Sequence, residues 1–254
     1  MLETQGLTVA FGGLVAVNQI DLSVSPGEIL GMIGPNGAGK TTFFNLLTGF
    51  LTPTSGRILF KGKDIAGLPP SRIASLGICR TFQITSVFPG LTVRENLLTG
   101  TYCWTRTLFF DTLFHSQGYS RQGQEMEKHA GEILEFLHME DRKDTVARNL
   151  SYGDQRRLEI GIALASRREF LLLDEPAAGM NPEETQTLSQ LIRQIRDKGI
   201  TIFLIEHHMQ LVMGICDRIA VLNYGRKIAE GNPLEISRNP QVIEAYLGKE
   251  EEFA

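Results

Sequence analysis

Eight residues near the N-terminus have the types and the spacing of a loop that binds nucleotide phosphates. Residues 34–41 read GPNGAGKT and fit the pattern G-x-x-x-x-G-K-[ST]. Glycines let backbone N–H groups turn towards phosphate oxygens without an intervening side chain. We expect Lys40 to reach the outer phosphates and the Thr41 hydroxyl to bind Mg²⁺. The candidate nucleotide-binding residues here are Gly34, Pro35, Asn36, Gly37, Ala38, Gly39, Lys40, Thr41 and Thr42.

An acidic pair, Asp174 and Glu175, follows the apolar run 170–173. Nucleotide hydrolysis needs a held metal ion, an oriented water and stabilisation of the charge on the transferred group. Asp174 fits a Mg²⁺ ligand, and Glu175 fits a general base that polarises the attacking water. The alternative is a solvated acidic pair that caps the next element.

Two other polar positions are candidates for the same chemistry. His207 follows the apolar run 200–205 and is expected to contact the γ-phosphate and sense its loss. By composition alone, His208 fits the same role. Gln83 is expected to reach the metal or the water, although in isolation it is only a polar loop residue.

Apolar runs indicate the elements that would position these residues. Short buried strands are predicted over 29–33, 170–173 and 200–205, and a helix is predicted after the glycine-rich loop. The opening region, with β-like pieces at 7–11 and 20–24 and a hairpin near 57–63, indicates antiparallel pairing. An α/β fold with an added antiparallel part follows.

Helical patterns dominate from about residue 90 to 168, including 126–137, whereas residues 101–124 give no clear prediction. The helix after Asp174 and Glu175 has the clearest signals. Asn181 is a predicted N-cap, Pro182 the first helical residue, and Glu184 completes a capping box. The predicted buried face consists of Leu188, Leu191, Ile192 and Ile195. Gly199 is predicted to end the helix.

Composition limits the classes of function. The 254 residues carry a net charge of −4, which argues against a nucleic-acid binder. No apolar run approaches the roughly 20 residues that span a bilayer. The three cysteines have no metal-binding spacing and indicate reduced thiols in a cytoplasmic protein. The N-terminal residues lack the regions of a signal peptide.

In this order, the motifs resemble those of the ATP-binding subunit of ABC transporters. Residues 150–154, LSYGD, are similar to the family signature LSGGQ and lie upstream of the acidic pair. The resemblance implies a P-loop NTPase core with an antiparallel β subdomain and a helical, signature-bearing subdomain. It implies one cassette domain, with the core at about 1–88 and 168–254 and the helical part at about 89–167.

The signature implies a second half-site. Ser151 and Gly153 at a helix start would bind the γ-phosphate of an ATP molecule that the opposite subunit holds. Tyr152 replaces a glycine and is expected to crowd this loop. Asp154 replaces the glutamine and either puts negative charge near the phosphate or caps the helix.

Other roles also come from the resemblance. Phe11 would stack on adenine, and Val17 would belong to the same nucleotide-binding hairpin. Gln83 would lie in the loop between core and helical subdomain, and His207 would be the switch histidine. Asn181 stands near the position where members of the family usually have an aspartate. The role of that aspartate across the dimer is therefore not assigned to Asn181.

Four segments narrow the resemblance to the branched-chain amino acid importer group, and to the larger of its two ATPase subunits. The segments are 11–17, 177–185, 205–209 and 242–248. This implies ATP and Mg²⁺ as cofactors and an ATPase that powers import by dimer closure and reopening.

The implied partners are transmembrane permease subunits, a homologous ATPase subunit or second copy, and indirectly a periplasmic or extracellular solute-binding protein, without nucleic acid. The implied location is peripheral, on the cytoplasmic face of the membrane. Aromatic residues of the segment 84–124 are expected to dock the permease or to pack the helical part, namely Phe88, Tyr102, Trp104, Phe109, Phe110 and Phe114.

Three alternatives remain at this stage. A GTPase switch has loose support from residues 64–67, which fit D-x-x-G, but no guanine-reading N-K-x-D follows. A soluble ABC-type ATPase acting on nucleic acid or translation would usually add a second cassette, coiled coils or basic arms. A regulatory module that never hydrolyses is disfavoured by Glu175 and His207.

Overall fold

Ten strands pair into two sheets in the described part of the chain, which is residues 1–81, 87–104 and 117–247 of a computed structural model. The chain divides into two units, Met1–Arg80 with Glu169–Ala254, and Thr81–Arg168. Both sheets belong to the first unit. Within the described residues, no helix is long and apolar enough to cross a membrane.

The smaller sheet is antiparallel, with strand order β2-β1-β4-β5. Its strands are β1 (Leu2–Phe11), β2 (Leu14–Val24), β4 (Ser55–Phe60) and β5 (Lys63–Asp64). Largely alternating burial along β1 directs apolar side chains to one face, where they pack on the core. The predicted antiparallel opening is confirmed, and both of its first strands are longer than their apolar patterns indicated.

The larger sheet positions the candidate chemistry. Its order is β10-β9-β3-β8-β7-β6, parallel except for the antiparallel pair β9 and β10. The strands are β3 (Ile29–Ile33), β6 (Ile78–Arg80), β7 (Phe170–Asp174), β8 (Thr201–Ile205), β9 (Arg218–Asn223) and β10 (Arg226–Gly231). Parallel strands end at one edge, so the loops that follow β3, β7 and β8 meet there.

The described residues also contain nine α-helices and two short 3₁₀ helices, Glu140–Arg142 and Ala147–Asn149. The α-helices are α1 (Lys40–Leu47), α2 (Pro70–Leu76), α3 (Val93–Thr101), α4 (Gln117–Phe136), α5 (Tyr152–Ala165), α6 (Pro182–Asp197), α7 (Met209–Ile215), α8 (Pro233–Ser237) and α9 (Pro240–Leu247). The first unit packs α1 on the larger sheet through aromatic rings. The ring of Phe203 lies 4.9 Å from Phe44 and 6.2 Å from Phe43, between centroids. All three side chains are fully buried.

Helix α6 begins with the capping residues that the sequence predicts. The Asn181 side chain accepts a hydrogen bond from the Glu184 amide, and the Glu184 carboxylate accepts one from the Asn181 amide. These two bonds satisfy donors that a helix start would otherwise leave without partners. The predicted apolar face is buried, and Gly199 follows the helix with a φ of 87°.

The second unit is helical, as predicted, around α3, α4 and α5. Gly161 of α5 lies against Leu97 and Leu137, so that a Cβ there would stand 2.9 Å and 2.4 Å from their methyl carbons. Helix α4 begins well before residue 126. The reason is that its first half is polar, and polar helix formers continue a helix without an apolar period.

Candidate nucleotide-binding site

The glycine-rich segment connects β3 to α1 at the carboxyl edge of the larger sheet. Its strand, Ile29–Ile33, is buried at every position. Helix α1 begins at Lys40 and ends at Leu47, which confirms the helix predicted after the loop. This arrangement aims the amino end of α1 into the turn of the loop, where backbone N–H groups and the helix dipole favour an anion.

Only glycine fits at two positions of this loop. A Cβ on Gly34 would lie 2.1 Å from the carbonyl oxygen of Leu222, and one on Gly39 would lie 2.4 Å from that of Ala16. Both residues also have positive φ, 151° and 100°. The loop is therefore pressed between β9 and the β1–β2 hairpin, which fixes its curvature.

Helix α1 keeps its first-turn amides available for a ligand. Gly39 occupies the N-cap position, and among the described residues no side chain caps this helix. By contrast α3, α6 and α8 each begin with a capping box. Helix starts without a cap need other acceptors for their N–H groups, and phosphate oxygens are suited to this role.

Lys40 lies inside the loop that it would serve. Its ammonium donates to the carbonyl oxygens of Gly34 at 2.6 Å and Pro35 at 3.0 Å. Burial lowers the pKa of Lys40, whereas the nearby charges of Glu175 and Asp174 act to raise it. The side chain is therefore a partly desolvated cation, which attracts phosphate more strongly than a solvated one.

Asp174, at the end of β7, forms a buried ion pair that sequence reasoning missed. The Arg80 guanidinium, which ends β6, donates to the Asp174 carboxylate at 2.6 Å, and both side chains are at most 5% exposed. Arg80 also donates to Asn45 of α1 at 2.7 Å and to Thr48, the C-cap residue of α1, at 3.1 Å. Arg80 thus connects the candidate metal ligand to the helix that follows the phosphate loop.

Glu175 has a backbone conformation that non-glycine residues rarely adopt, with a φ of 48°. Its amide donates to the carbonyl oxygen of Ile205 at 2.9 Å, which ties it to the end of β8. One Glu175 carboxylate oxygen lies 3.8 Å from Nδ1 of His207. Strained backbone at a candidate general base is consistent with a site that is held in place by its surroundings.

The two histidines differ in what their side chains do. Nδ1 of His208 accepts a hydrogen bond from the Leu211 amide at 3.4 Å, so His208 caps α7. The His207 side chain is 60% exposed and faces Glu175. The structure therefore distinguishes His207, which faces Glu175, from His208, which caps α7, whereas composition alone did not.

The donor set suits Mg²⁺. Thr41 supplies a hydroxyl at the start of α1, and Asp174 supplies a carboxylate. Mg²⁺ prefers oxygen ligands and usually takes one or two from the protein, with phosphates and waters completing its shell. Accordingly, the described residues contain no cluster of three or more His, Cys, Asp or Glu side chains that could hold a metal alone. Gln83 lies outside the described residues.

The hairpin of β1 and β2 borders the loop. Phe11 is half exposed, and the neighbouring Leu14 and Val15 are exposed as well. An apolar, accessible patch beside a phosphate loop suits a purine ring. Val17 is different: its side chain is fully buried in the core and supports the hairpin from inside.

The signature segment of the second unit begins α5. Ser151 is the N-cap, and its hydroxyl accepts from the Asp154 amide at 3.2 Å. The Asp154 carboxylate is ion-paired with Arg142 and Arg157 and is 9% exposed. Ser151 therefore supplies the side-chain cap of this helix, and two arginines pair with the Asp154 carboxylate. That the Asp154 charge lies near a phosphate stays a prediction.

Tyr152 lies along the helix and packs on its own next turn. Its hydroxyl accepts from Arg156 at 3.0 Å, and the guanidinium carbon lies 5.3 Å from the ring centroid. The adjacent Gly153 is buried. Tyr152, which is 41% exposed, therefore contacts a residue one turn further along α5. The crowding of the signature loop stays a prediction.

The aromatic residues that were expected to dock the permease or to pack the helical part differ in exposure, among those that the structure describes. Phe88 and Tyr102 are exposed. Trp104 instead packs within the helical unit, because its indole donates to the Ala165 carbonyl at 2.9 Å and the Arg167 guanidinium lies 3.9 Å from its rings. Phe109, Phe110 and Phe114 lie outside the described residues.

A glycine-rich phosphate loop after β3, a histidine after the neighbouring strand β8 and an acidic pair at the end of the next strand, β7, define a P-loop ATPase. The chain belongs to the ABC transporter family, whose profile matches residues 17–178. A second profile, described as branched-chain amino acid ATP-binding cassette transporter, matches residues 226–252. The family and fold class predicted from sequence are confirmed.

Similar curated proteins cover the whole length. The chain is 48% identical, over 98% of both chains, to the high-affinity branched-chain amino acid transport ATP-binding protein LivG of Escherichia coli strain K12. It is 46% identical, over 98% of both, to BraF of Pseudomonas aeruginosa, which has the same description. It is also 35% identical to the lipopolysaccharide export ATP-binding protein LptB of Acidithiobacillus ferridurans, over 98% of this chain and 97% of that one.

Solved structures agree with the fold. A nucleotide-free ATP-binding cassette from an ABC transporter superposes with a TM-score of 0.85 at 34% identity, covering 98% of this chain and 99% of the other. The ADP conformation of an ATP-binding cassette matches with the same values.

Proposed function

We propose that this chain is the ATP-hydrolysing subunit of an ABC importer for branched-chain or similar amino acids. The observation that carries the ATPase assignment is the edge of the larger sheet, where the uncapped α1 and the paired Glu175 and His207 meet. The substrate class is supported by the similarity to LivG and BraF, which are branched-chain amino acid transport ATP-binding proteins, and by the match at residues 226–252.

In the proposed mechanism, the loop amides and Lys40 bind the β- and γ-phosphates of ATP, and Phe11 stacks on adenine. Thr41 and Asp174 would hold Mg²⁺, with Gln83 as a further ligand, and the ion would neutralise charge on the transferred phosphate. Glu175 polarises the attacking water as general base. His207 contacts the γ-phosphate and responds to its loss.

We further propose that the two units form one cassette domain. Two cassettes would enclose two ATP molecules, each between the phosphate loop of one and Ser151 to Asp154 of the other. The second cassette is a homologous subunit or another copy of this chain. Energy from ATP binding closes the pair, and hydrolysis reopens it. Permease subunits would hold the protein at the cytoplasmic face of the membrane, and a solute-binding protein would deliver the amino acid to them.

The first experiment compares Glu175→Gln with the parent chain. We expect the variant to retain ATP affinity, to lose at least about a hundredfold in turnover because the base is absent, and to accumulate a closed dimer. Equilibrium binding, phosphate release and size-exclusion chromatography measure these quantities. Turnover at the parent rate would exclude Glu175 as the base.

The second experiment tests the nucleotide site itself. Lys40→Ala should weaken ATP binding, because it removes a cation that lies within the phosphate loop. Lys61→Ala is a matched control, because Lys61 forms an exposed ion pair with Glu169. ATP and GTP are compared in the same titration. Preference for GTP, or unchanged affinity of Lys40→Ala, would contradict the assignment.

A third experiment addresses the partners. Co-purification of the tagged chain from membranes should recover hydrophobic permease subunits, and mass spectrometry should identify them. Recovery with nucleic acid or ribosomes in place of membrane proteins would support a soluble ABC-type ATPase.

A further inference from the structure

A carboxylate outside the catalytic assignment lies in the same edge of the sheet. Glu206 is fully buried, immediately after β8. One of its carboxylate oxygens accepts from the Ala177 amide at 2.7 Å. The other accepts from the His207 amide at 3.0 Å and the His208 amide at 3.1 Å. A buried carboxylate is costly unless donors compensate it, and here three backbone donors do so.

These three donors belong to two different loops. Ala177 follows the candidate base Glu175 by two residues, whereas His207 and His208 begin the loop after β8. The Glu175 amide is also held by the Ile205 carbonyl at 2.9 Å. Glu206 therefore joins the loop that carries the base to the loop that carries the switch histidine.

We propose that Glu206 is a positioning residue that fixes the Glu175 loop and the His207 loop relative to one another. Through these backbone bonds it maintains the left-handed conformation of Glu175 and the 3.8 Å separation between the Glu175 and His207 side chains. The inference deepens the proposed function and depends on it, because it assigns a role in the same ATPase site.

The chemistry of the contact requires an acceptor at both ends of the side chain. A carboxylate has two acceptor oxygens and no donor, which matches amide donors on either side. The amide of glutamine has nearly the same shape but offers one oxygen and one NH₂ group. In Glu206→Gln the NH₂ group must face a backbone N–H, so the bond to one of the two loops is lost.

The test measures ATPase kinetics of Glu206→Gln in the full chain. Because ATP is bound by the loop after β3, we expect the KM for ATP to change by less than about threefold. We expect kcat to fall by at least about tenfold, because misplacement of a base by a fraction of an ångström slows the chemical step. Glu206→Asp retains both acceptors with a shorter reach and should fall less.

The matched control is Thr201→Val at the opposite end of β8. Thr201 is also fully buried, and its hydroxyl accepts from the Gly27 amide at 2.9 Å. This variant should lower the unfolding temperature and leave kcat within about twofold of the parent. If Glu206→Gln behaves in the same way, its role is only structural and the proposal is wrong.

A second readout does not depend on turnover. In amide proton–nitrogen spectra of the nucleotide-free protein, Glu206→Gln should shift the Ala177 resonance upfield, because a charge-assisted bond is replaced or lost. An unchanged Ala177 resonance overturns the proposal. Should Glu206→Gln not fold, Glu206→Asp serves for both measurements, and unchanged kcat with an unchanged resonance overturns the proposal equally.

Double variants separate this proposal from the ATPase assignment. The effect of Glu206→Gln on kcat should nearly vanish in a Glu175→Gln background, since residues that act as one unit are not additive. Additive losses would contradict positioning through Glu175. If Glu175→Gln alone left turnover unchanged, the ATPase assignment would fail first, whatever Glu206→Gln did.

Discussion

At the scale of single residues, Arg80 holds the candidate Mg²⁺ ligand Asp174 in a buried ion pair. Motif spacing predicted Lys40, Asp174, Glu175 and His207. These residues lie at one edge of the larger sheet because its parallel strands end there. Sequence patterns did not indicate a role for Arg80 or for Glu206. Asp174 lies 94 residues from Arg80 and Ala177 lies 29 residues from Glu206 along the chain, and no local pattern indicates these two contacts.

Arg80 provides the first residue-scale prediction. Arg80→Met should lower the free energy of unfolding by about 3–5 kcal/mol, because it leaves the buried Asp174 carboxylate without its guanidinium partner. Urea denaturation followed by circular dichroism measures the change. Adding Asp174→Asn should restore part of the loss, because the remaining side chain is then neutral. A cost below about 1 kcal/mol for Arg80→Met would contradict a buried pair.

At the scale of elements, capping and apolar runs were reliable and polar helices were not. Helix α6 carries its start signal in three of the four residues 181–184, so its first residue was predicted correctly. Helix α4 has a polar first half, and its beginning was missed for that reason. Contacts between helices could not be predicted from the sequence either. The close approach of α3 to α5, for example, depends on Gly100 lying against the backbone of Ile162, which is far along the chain.

Gly100→Ala tests that approach. A Cβ on Gly100 would lie 2.3 Å from the Ile162 carbonyl oxygen, and backbone cannot move aside as a flexible side chain does. We expect a loss of about 1–3 kcal/mol, although alanine is the better helix former. The matched control, Gly131→Ala in α4, meets nothing within 4 Å and should stabilise by about 0.5–1 kcal/mol. Thermal unfolding of both variants measures these changes in stability. Equal unfolding temperatures for Gly100→Ala and Gly131→Ala would exclude close packing at Gly100.

At the scale of the whole molecule, the fold class followed from the order of motifs, whereas the sheet order did not. Strand β3 lies between β8 and β9, which come from the opposite end of the chain. Nucleotide binding at the edge of this sheet should therefore stabilise residues from both ends of the sequence together. Cys103 and Cys216, which form no disulfide in the structure, provide reporters at different depths.

Cysteine labelling measures this coupling. Cys103 is exposed in the second unit, whereas Cys216 is buried against Gly31 of β3, and burial raises the pKa of its thiol. Maleimide should modify Cys103 rapidly and Cys216 only when the first unit opens, because the thiolate is the reactive form.

ATP with Mg²⁺ provides the ligand-dependent part of this prediction. At a free concentration one hundred times its Kd, ATP should slow Cys216 modification about a hundredfold, because binding to the closed form reduces the open population. Cys103 modification should be unchanged. Lys40→Ala should remove the protection, and peptide mass spectrometry assigns each site. Equal rates at Cys216 with and without ATP would mean that nucleotide does not stabilise the sheet whose edge carries the phosphate loop.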